Sequence, residues 1–172
     1  MTNEERRERM RAFVKENAAQ GVPHVLGLAR AEWQRFEELI ADLNEEEAAA
    51  HPLPDEWSIS QVVHHLTFSH ARNLERIASL SRGEAFDGPP TLAGSLPERA
   101  EPTFADIRRV FRQLVAEATR VIEAAEPNAH LDLTADHAFF GPYSWLHWAV
   151  HMHVHVRDHI GQVAAIRAAL KK

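Results

Sequence analysis

The stretch that decides the fold is Trp145–Leu170, which reads WLHWAVHMHVHVRDHIGQVAAIRAAL. Large side chains recur along it at steps of three and four residues, which places them on one face of an α-helix. In order, this seam consists of Trp145, Trp148, Met152, His155, His159, Gln162 and Ile166. Apolar residues at both ends indicate that the face is buried, whereas its middle carries two imidazoles and an amide. The sequence therefore predicts a buried helix with polar groups at its centre.

The rest of the chain carries the same helical period, and no run of alternating β-branched residues stands out. The pattern predicts a short polar helix over residues 3–19 and long helices over 24–43, 58–81, 104–125 and 145–170. Ser58 and Gln61 match a capping box at the start of the second long helix. We therefore predict an all-α fold, a four-helix bundle in one domain over 1–172. Residues 1–22 form a helical N-terminal extension and 23–172 the bundle.

The connection between the second and third long helices, residues 83–102, is long enough to decide the topology. Its 20 residues span up to about 66 Å when extended. A helix of about 24 residues is only about 36 Å long. This connection can therefore cross the whole bundle, and the helices that it joins need not be antiparallel neighbours.

Composition limits the classes of function. The chain has 172 residues, with 19 Lys and Arg against 25 Asp and Glu, for a formal charge of −6. This balance argues against nucleic-acid binding and against a polybasic membrane surface. No apolar run approaches the roughly 18 residues of a spanning helix, and the first residues lack a signal-peptide core, so we expect a cytoplasmic protein. Cysteine is absent, which excludes disulfides, thiolate ligands and a protein thiol nucleophile.

Histidine is the unusual residue, with 12 in the chain. His155 and His159 lie four residues apart on the buried seam, so both imidazoles can point at one common atom. Burying an unpaired polar group costs about 1–3 kcal/mol, and a divalent metal would satisfy both rings. The alternative is a pair of core histidines that are hydrogen-bonded to carbonyl groups or water.

The third ligand of a metal site must come from another helix. The helix over 58–81 offers His64, His65 and His70. Periodicity favours His65 only slightly, and we expect at least one of the three on the surface. On the last helix, His147 and His151 flank the seam as solvated or rim residues, and His153 points away from the seam into solvent.

Two motifs resemble those of a known family, the DinB-like (YfiT-like) metalloenzymes. The segment 57–66, WSISQVVHHL, resembles the family signature W-S-x-x-E-x-x-x-H-L, with Gln61 where the family often has an acidic residue. The segment 155–163, HVRDHIGQV, resembles the C-terminal motif H-x-x-x-H-x-G-Q followed by an apolar residue. The resemblance covers about residues 23–170, and the capping role of Gln61 survives the departure.

This resemblance implies a four-helix bundle with an up-down-down-up course and a divalent metal held by three histidines. Carried over by position, these ligands are His65, His155 and His159. Zinc is the first choice, with nickel, iron and manganese as alternatives because imidazole suits several metals. Members of the family include S-transferases that use low-molecular-weight thiols such as bacillithiol or mycothiol.

Three hypotheses for the function follow. The first is a metal-dependent transferase, in which an exogenous thiol is the cosubstrate and attacks a small electrophile. In this hypothesis Gln162 forms a hydrogen bond that orients a metal-binding histidine. The second is a metal-dependent hydrolase of a small substrate. The third is a non-catalytic bundle that binds a metal, a small ligand or a protein, with aromatic residues near the helix ends lining a pocket. We expect a small-molecule substrate, and a homodimer is compatible with the sequence. The sequence does not decide whether the N-terminal helix packs on its own bundle or on a partner.

Overall fold

A computed structural model describes residues 2–53, 55–88 and 103–171 and shows a predominantly helical chain. Its helices are α1 (Asn3–Ala18), α2 (Val22–Ile40), α3 (Glu45–Ala49), α4 (Ile59–Ser81), α5 (Phe104–Ala124) and α6 (Trp145–Leu170). Two three-residue strands, β1 (Ala135–His137) and β2 (Gly141–Tyr143), pair in antiparallel fashion before α6. Among the described helices, none combines the length and apolarity needed to cross a lipid bilayer.

The start of α4 is fixed by a reciprocal pair of hydrogen bonds, as the sequence predicts. The Ser58 hydroxyl accepts from the backbone N–H of Gln61 at 3.2 Å, and the Gln61 side-chain oxygen accepts from the backbone N–H of Ser58 at 2.9 Å. These bonds satisfy two of the donors that a helix start leaves unpaired. They also fix where Trp57 and His65 lie relative to the rest of the bundle.

Helices α4 and α6 run antiparallel. Near the start of α4, His65 contacts His155 in the middle of α6. Near the end of α4, the Arg76 guanidinium lies 4.8 Å from the ring centroid of Trp148, close to the start of α6. Residue numbers therefore increase along α4 in the direction in which they decrease along α6.

Helices α4 and α5 run in the same direction, although they are consecutive long helices of the bundle. His70 in the middle of α4 packs edge-on against Phe111 of α5, with ring centroids 5.2 Å apart. Further along both helices, Ala78 and Val121 line the same surface cavity. A parallel pair requires a connection that returns along the length of the bundle, which the long segment after α4 allows. Residues 89–102 of that segment lie outside the described residues.

The carboxyl ends of α2 and α6 meet, so these two helices are also parallel. The Arg167 guanidinium of α6 donates to the Asp42 carboxylate just after α2, at 2.8 Å, and to the carbonyl of Leu39. With α4 and α5 directed the other way, the bundle has the up-down-down-up course that the family resemblance implies. The predicted fold class is confirmed.

Helix α1 packs on its own bundle, which the sequence left open. Val14 is fully buried against the core, and the Arg157 guanidinium of α6 lies 4.7 Å from the ring centroid of Phe13. The short α3 and the strand pair were not predicted, because five- and three-residue elements are too short for a periodicity to identify. Both lie within the segments that the sequence predicted to be connections between the long helices.

Candidate metal centre

Three imidazoles from two helices meet inside the bundle. His65 comes from α4, and His155 and His159 come from adjacent turns of α6. The Nε2 atom of His155 lies 3.0 Å from Nε2 of His65 and 3.2 Å from Nε2 of His159. One ligand atom from each residue lies within 4.8 Å of the other two. The structure thus brings together the three predicted ligands, and their binding of a metal stays a prediction.

The arrangement of these nitrogens fits a cation. A neutral imidazole carries one proton. In the tautomers in which Nδ1 carries it, the three Nε2 lone pairs converge and repel one another unless a cation lies between them. A tetrahedral zinc with Zn–N bonds of about 2.0–2.1 Å separates its nitrogen ligands by about 3.3–3.4 Å. The observed nitrogen separations are close to this spacing, so the donor set suits a divalent ion.

A hydrogen-bonded chain assigns the tautomer of His159. The Glu56 carboxylate accepts from the side-chain N–H of Gln162 at 3.0 Å, which fixes the orientation of the amide. The Gln162 side-chain oxygen then lies 2.7 Å from Nδ1 of His159 and accepts a hydrogen bond from its N–H. Nε2 of His159 therefore presents a lone pair to the centre. The sequence predicted this role for Gln162 but not for Glu56, which lies in the connection just before α4.

Removing the Gln162 amide should weaken metal binding without removing a ligand. In Gln162→Leu, Nδ1 of His159 loses its acceptor, and the ring loses both its fixed orientation and its fixed tautomer. We expect metal affinity to fall by about 10–100-fold, measured by competition with a chromogenic chelator. Gln34→Leu is the matched control, because Gln34 also donates to a glutamate, at 2.8 Å, but lies outside the centre. Equal affinities in the two variants would contradict the role of Gln162.

Trp57 covers one side of the centre. Its ring lies 4.9 Å from that of His65 and stacks on that of His159 at 6.2 Å between centroids. The capping box next to Trp57 holds it in place. The indole thus limits the access of water to two of the three imidazoles.

Burial keeps the cluster neutral. Desolvation, followed by repulsion from His159 and His64, lowers the pKa of His65 to about 4. Desolvation also places the pKa of His155 well below its usual value, with neighbouring histidines adding to the shift. The pKa of His159 is lowered by burial, although its hydrogen bond to Gln162 opposes the shift. Neutral rings keep their lone pairs available for a cation at physiological pH.

His151 extends the cluster along α6. The sequence predicted His147 and His151 as solvated or rim residues that flank the seam. In the structure His147 is half-buried, and its Nδ1 accepts from the Ser144 N–H at the start of α6, at 3.2 Å. His151 stacks on His155 at 6.0 Å and meets His137 of β1 at 4.6 Å between ring centroids. The unpredicted strand pair covers part of this turn of α6, and both histidines are half-buried, as residues at a rim are.

Two expectations about exposure are wrong. His153 is only 1 % exposed, because α1 packs over that face of α6 and places Phe13 at 6.4 Å from its ring. His64, His65 and His70 are all buried, although at least one was expected on the surface. Helix α4 packs against α3, α5 and α6, so little of its circumference faces solvent.

Comparison with known proteins agrees with this architecture. A family profile described as DinB superfamily matches residues 28–163. The chain belongs to the DinB superfamily. Like this DinB-superfamily chain, the solved structure of TT2238 is described as a four-helix bundle protein, and the two superpose with a TM-score of 0.63. They share 17% identity, and the similarity covers 84% of this chain and 98% of that one, which shows a common fold. No curated protein matches the chain.

Proposed function

We propose that this DinB-superfamily protein is a divalent-metal-dependent transferase that joins a low-molecular-weight thiol to a small electrophile. His65, His155 and His159 hold the metal, with zinc as the first choice. The observation that carries the proposal is the convergence of the Nε2 atoms of His65, His155 and His159 between α4 and α6, where His65 is buried and the other two are half-buried. Both motifs resemble those of the DinB-like family, and the thiol S-transferases among its members support the reaction class.

The residues around the centre have distinct tasks in this proposal. His65, His155 and His159 would hold a divalent ion, which when bound would supply the chemistry of lowering the pKa of a thiol or water beside it. Gln162 and Glu56 hold His159 in the tautomer that a ligand needs. Trp57 excludes water from one side of the cluster. Neither Trp57 nor Gln162 exchanges protons with the substrate.

The sulfur has to come from outside the chain, because the protein contains no cysteine. In the proposed reaction the thiol proton passes to solvent, and the thiolate sulfur forms a bond to an electrophilic carbon. The leaving group departs with the electron pair of the bond that breaks. The absence of cysteine also means that no protein thiol competes for the electrophile.

Metal content and thiol dependence test the proposal together. Protein purified without a metal-binding tag should contain close to one divalent ion per chain by elemental analysis. The rate of thiol loss with an activated aryl chloride should depend on the protein and fall after chelation. Substrate loss that is indifferent to added thiol would indicate a hydrolase instead. A protein without bound metal, and unable to take it up, would contradict both enzymatic hypotheses.

A further inference from the structure

A surface groove of about 380 Å³ lies between α1, the turn of the strand pair and α6. Its lining residues are Arg6, Arg7, Met10, Phe139, Phe140 and Asp158. Half of these come from α1, which precedes the region 28–163 that matches the DinB superfamily. The groove thus forms where α1, outside the matched region, packs against residues within it.

The chemistry of the groove differs from that of the whole protein. The chain carries a formal charge of −6, yet two guanidinium groups and a single carboxylate line this groove. The Arg7 guanidinium lies 5.3 Å from the ring centroid of Phe139, whose side chain is 39% exposed. A cationic edge next to an exposed aromatic ring complements a molecule that has both an anionic group and an apolar part.

The cations at this edge are available to a ligand. Among the described residues, the Glu4 carboxylate pairs with Arg7 at 3.8 Å, and both side chains are well exposed. Exposed ion pairs of this kind contribute about 0–1 kcal/mol, so a ligand anion can replace Glu4 at little cost. Within the described part of the chain, Arg6 forms no ion pair shorter than 4.0 Å, and it interacts weakly with the Asp158 carboxylate of the same groove.

The walls of the groove are fixed to one another. The Arg11 guanidinium donates to the backbone carbonyl of Phe139 at 3.1 Å and to that of Phe140 at 3.2 Å. These bonds tie α1 to the turn of the strand pair. A groove held in this way needs little reorganisation when a ligand enters, which favours binding.

The groove adjoins the metal centre. Asp158 precedes the ligand His159 on α6. The ring of Phe140 lies 5.9 Å from that of His151, which stacks on His155 at 6.0 Å. Two ring contacts therefore separate the inner wall of the groove from the central imidazole of the cluster.

We infer that this groove binds a small organic anion, with its acidic group on Arg6 and Arg7 and its apolar part against Phe139 and Met10. Its role as the substrate site rests on the proposed function, whereas anion binding itself does not. The groove selects a substrate or cosubstrate that bears a carboxylate, and α1 is the element that provides the selectivity.

Titration with a matched pair of probes tests the inference. We expect 4-phenylbutyrate to bind at least about fivefold more tightly than 4-phenylbutyramide, in NMR titrations of the protein as purified. The double variant Arg6→Gln/Arg7→Gln should lower the affinity for the carboxylate to that for the amide. Phe139→Ala should weaken both probes. The control is Arg82→Gln/Arg120→Gln, which changes two arginines in a separate cavity of about 240 Å³ and should leave both affinities unchanged.

The outcomes separate this inference from the metal proposal. Equal affinities for the carboxylate and the amide in the wild-type protein would overturn the inference that the groove binds an anion, and this comparison needs no variant. A carboxylate preference that survives Arg6→Gln/Arg7→Gln also overturns it, since the anion then binds elsewhere, for instance at the metal. The double variant should keep its metal content. A protein that lacks metal but still prefers the carboxylate through Arg6 and Arg7 would retain the groove and lose the proposed function.

Discussion

His155→Ala should abolish stoichiometric metal binding and, with it, the part of the thermal stability that depends on metal. Ligand present at about 1,000 times its Kd stabilises a folded protein by about 4 kcal/mol. For a chain of this length, each kcal/mol shifts the Tm by about 2–4 °C. We therefore expect chelation to lower the Tm of the wild-type protein by about 8–16 °C and to leave that of His155→Ala unchanged. Differential scanning calorimetry with and without chelator measures both shifts.

His155 is the residue of choice because its Nε2 is the atom that approaches both other ligand nitrogens, at 3.0 and 3.2 Å. His130→Asn is the matched control, since His130 is exposed and lies outside the cluster. Asparagine also tolerates the positive φ of 55° at that position better than alanine does. A chelation shift that persists in His155→Ala would place the bound metal elsewhere in the protein.

The face of each long helix was predictable from the sequence. Steps of three and four residues identified the seam of α6, and Trp148, Met152 and Ile166 on it are fully buried. The same spacing placed His155 and His159 on one side of the helix, where the structure has them. The choice of His65 over His64 came from the resemblance, because the apolar pattern of α4 fits more than one buried face, one of them through Val63, Leu66 and His70.

What covers each face was not predictable. Glu56 reaches Gln162 across 106 residues of chain, and nothing in the local pattern of either segment records that contact. The burial of His153 depends on where α1 docks, which its own polar pattern does not specify. In both cases the periodicity defines directions on one helix, whereas contacts between elements depend on how all the helices are arranged.

The metal-free protein should unfold in mild acid, with a midpoint between about pH 4 and 5.5. His70, His137 and His153 lie outside the three-ligand cluster and are at most 7% exposed. Desolvation is the main cause that lowers the pKa of each to about 4. Unfolding returns each ring to water and to a pKa near 6.5. Protonation of these rings is therefore much easier in the unfolded chain.

The sign of the effect follows from proton binding. Between about pH 6.5 and 4 the unfolded chain binds more protons than the folded one, so the free energy of unfolding falls as the pH falls. Above about pH 6.5 these imidazoles no longer lower the free energy of unfolding, because they are mostly neutral in both the folded and the unfolded chain. At pH 5 each ring lowers the stability by about 2 kcal/mol, so the three together lower it by about 6 kcal/mol. This loss is comparable with the 5–15 kcal/mol that a typical domain has.

His70→Leu isolates one of these contributions. His70 is fully buried, and its Nε2 has no hydrogen-bond partner among the described residues, so an apolar side chain of similar size fits the site. Urea unfolding at several pH values should show about one proton fewer taken up on unfolding at pH 5 and a midpoint at lower pH. His130→Asn, at an exposed position, should leave the acid transition in place. An unchanged pH slope in His70→Leu would mean that His70 already binds its proton in the folded state, against the desolvation that its position in the core imposes.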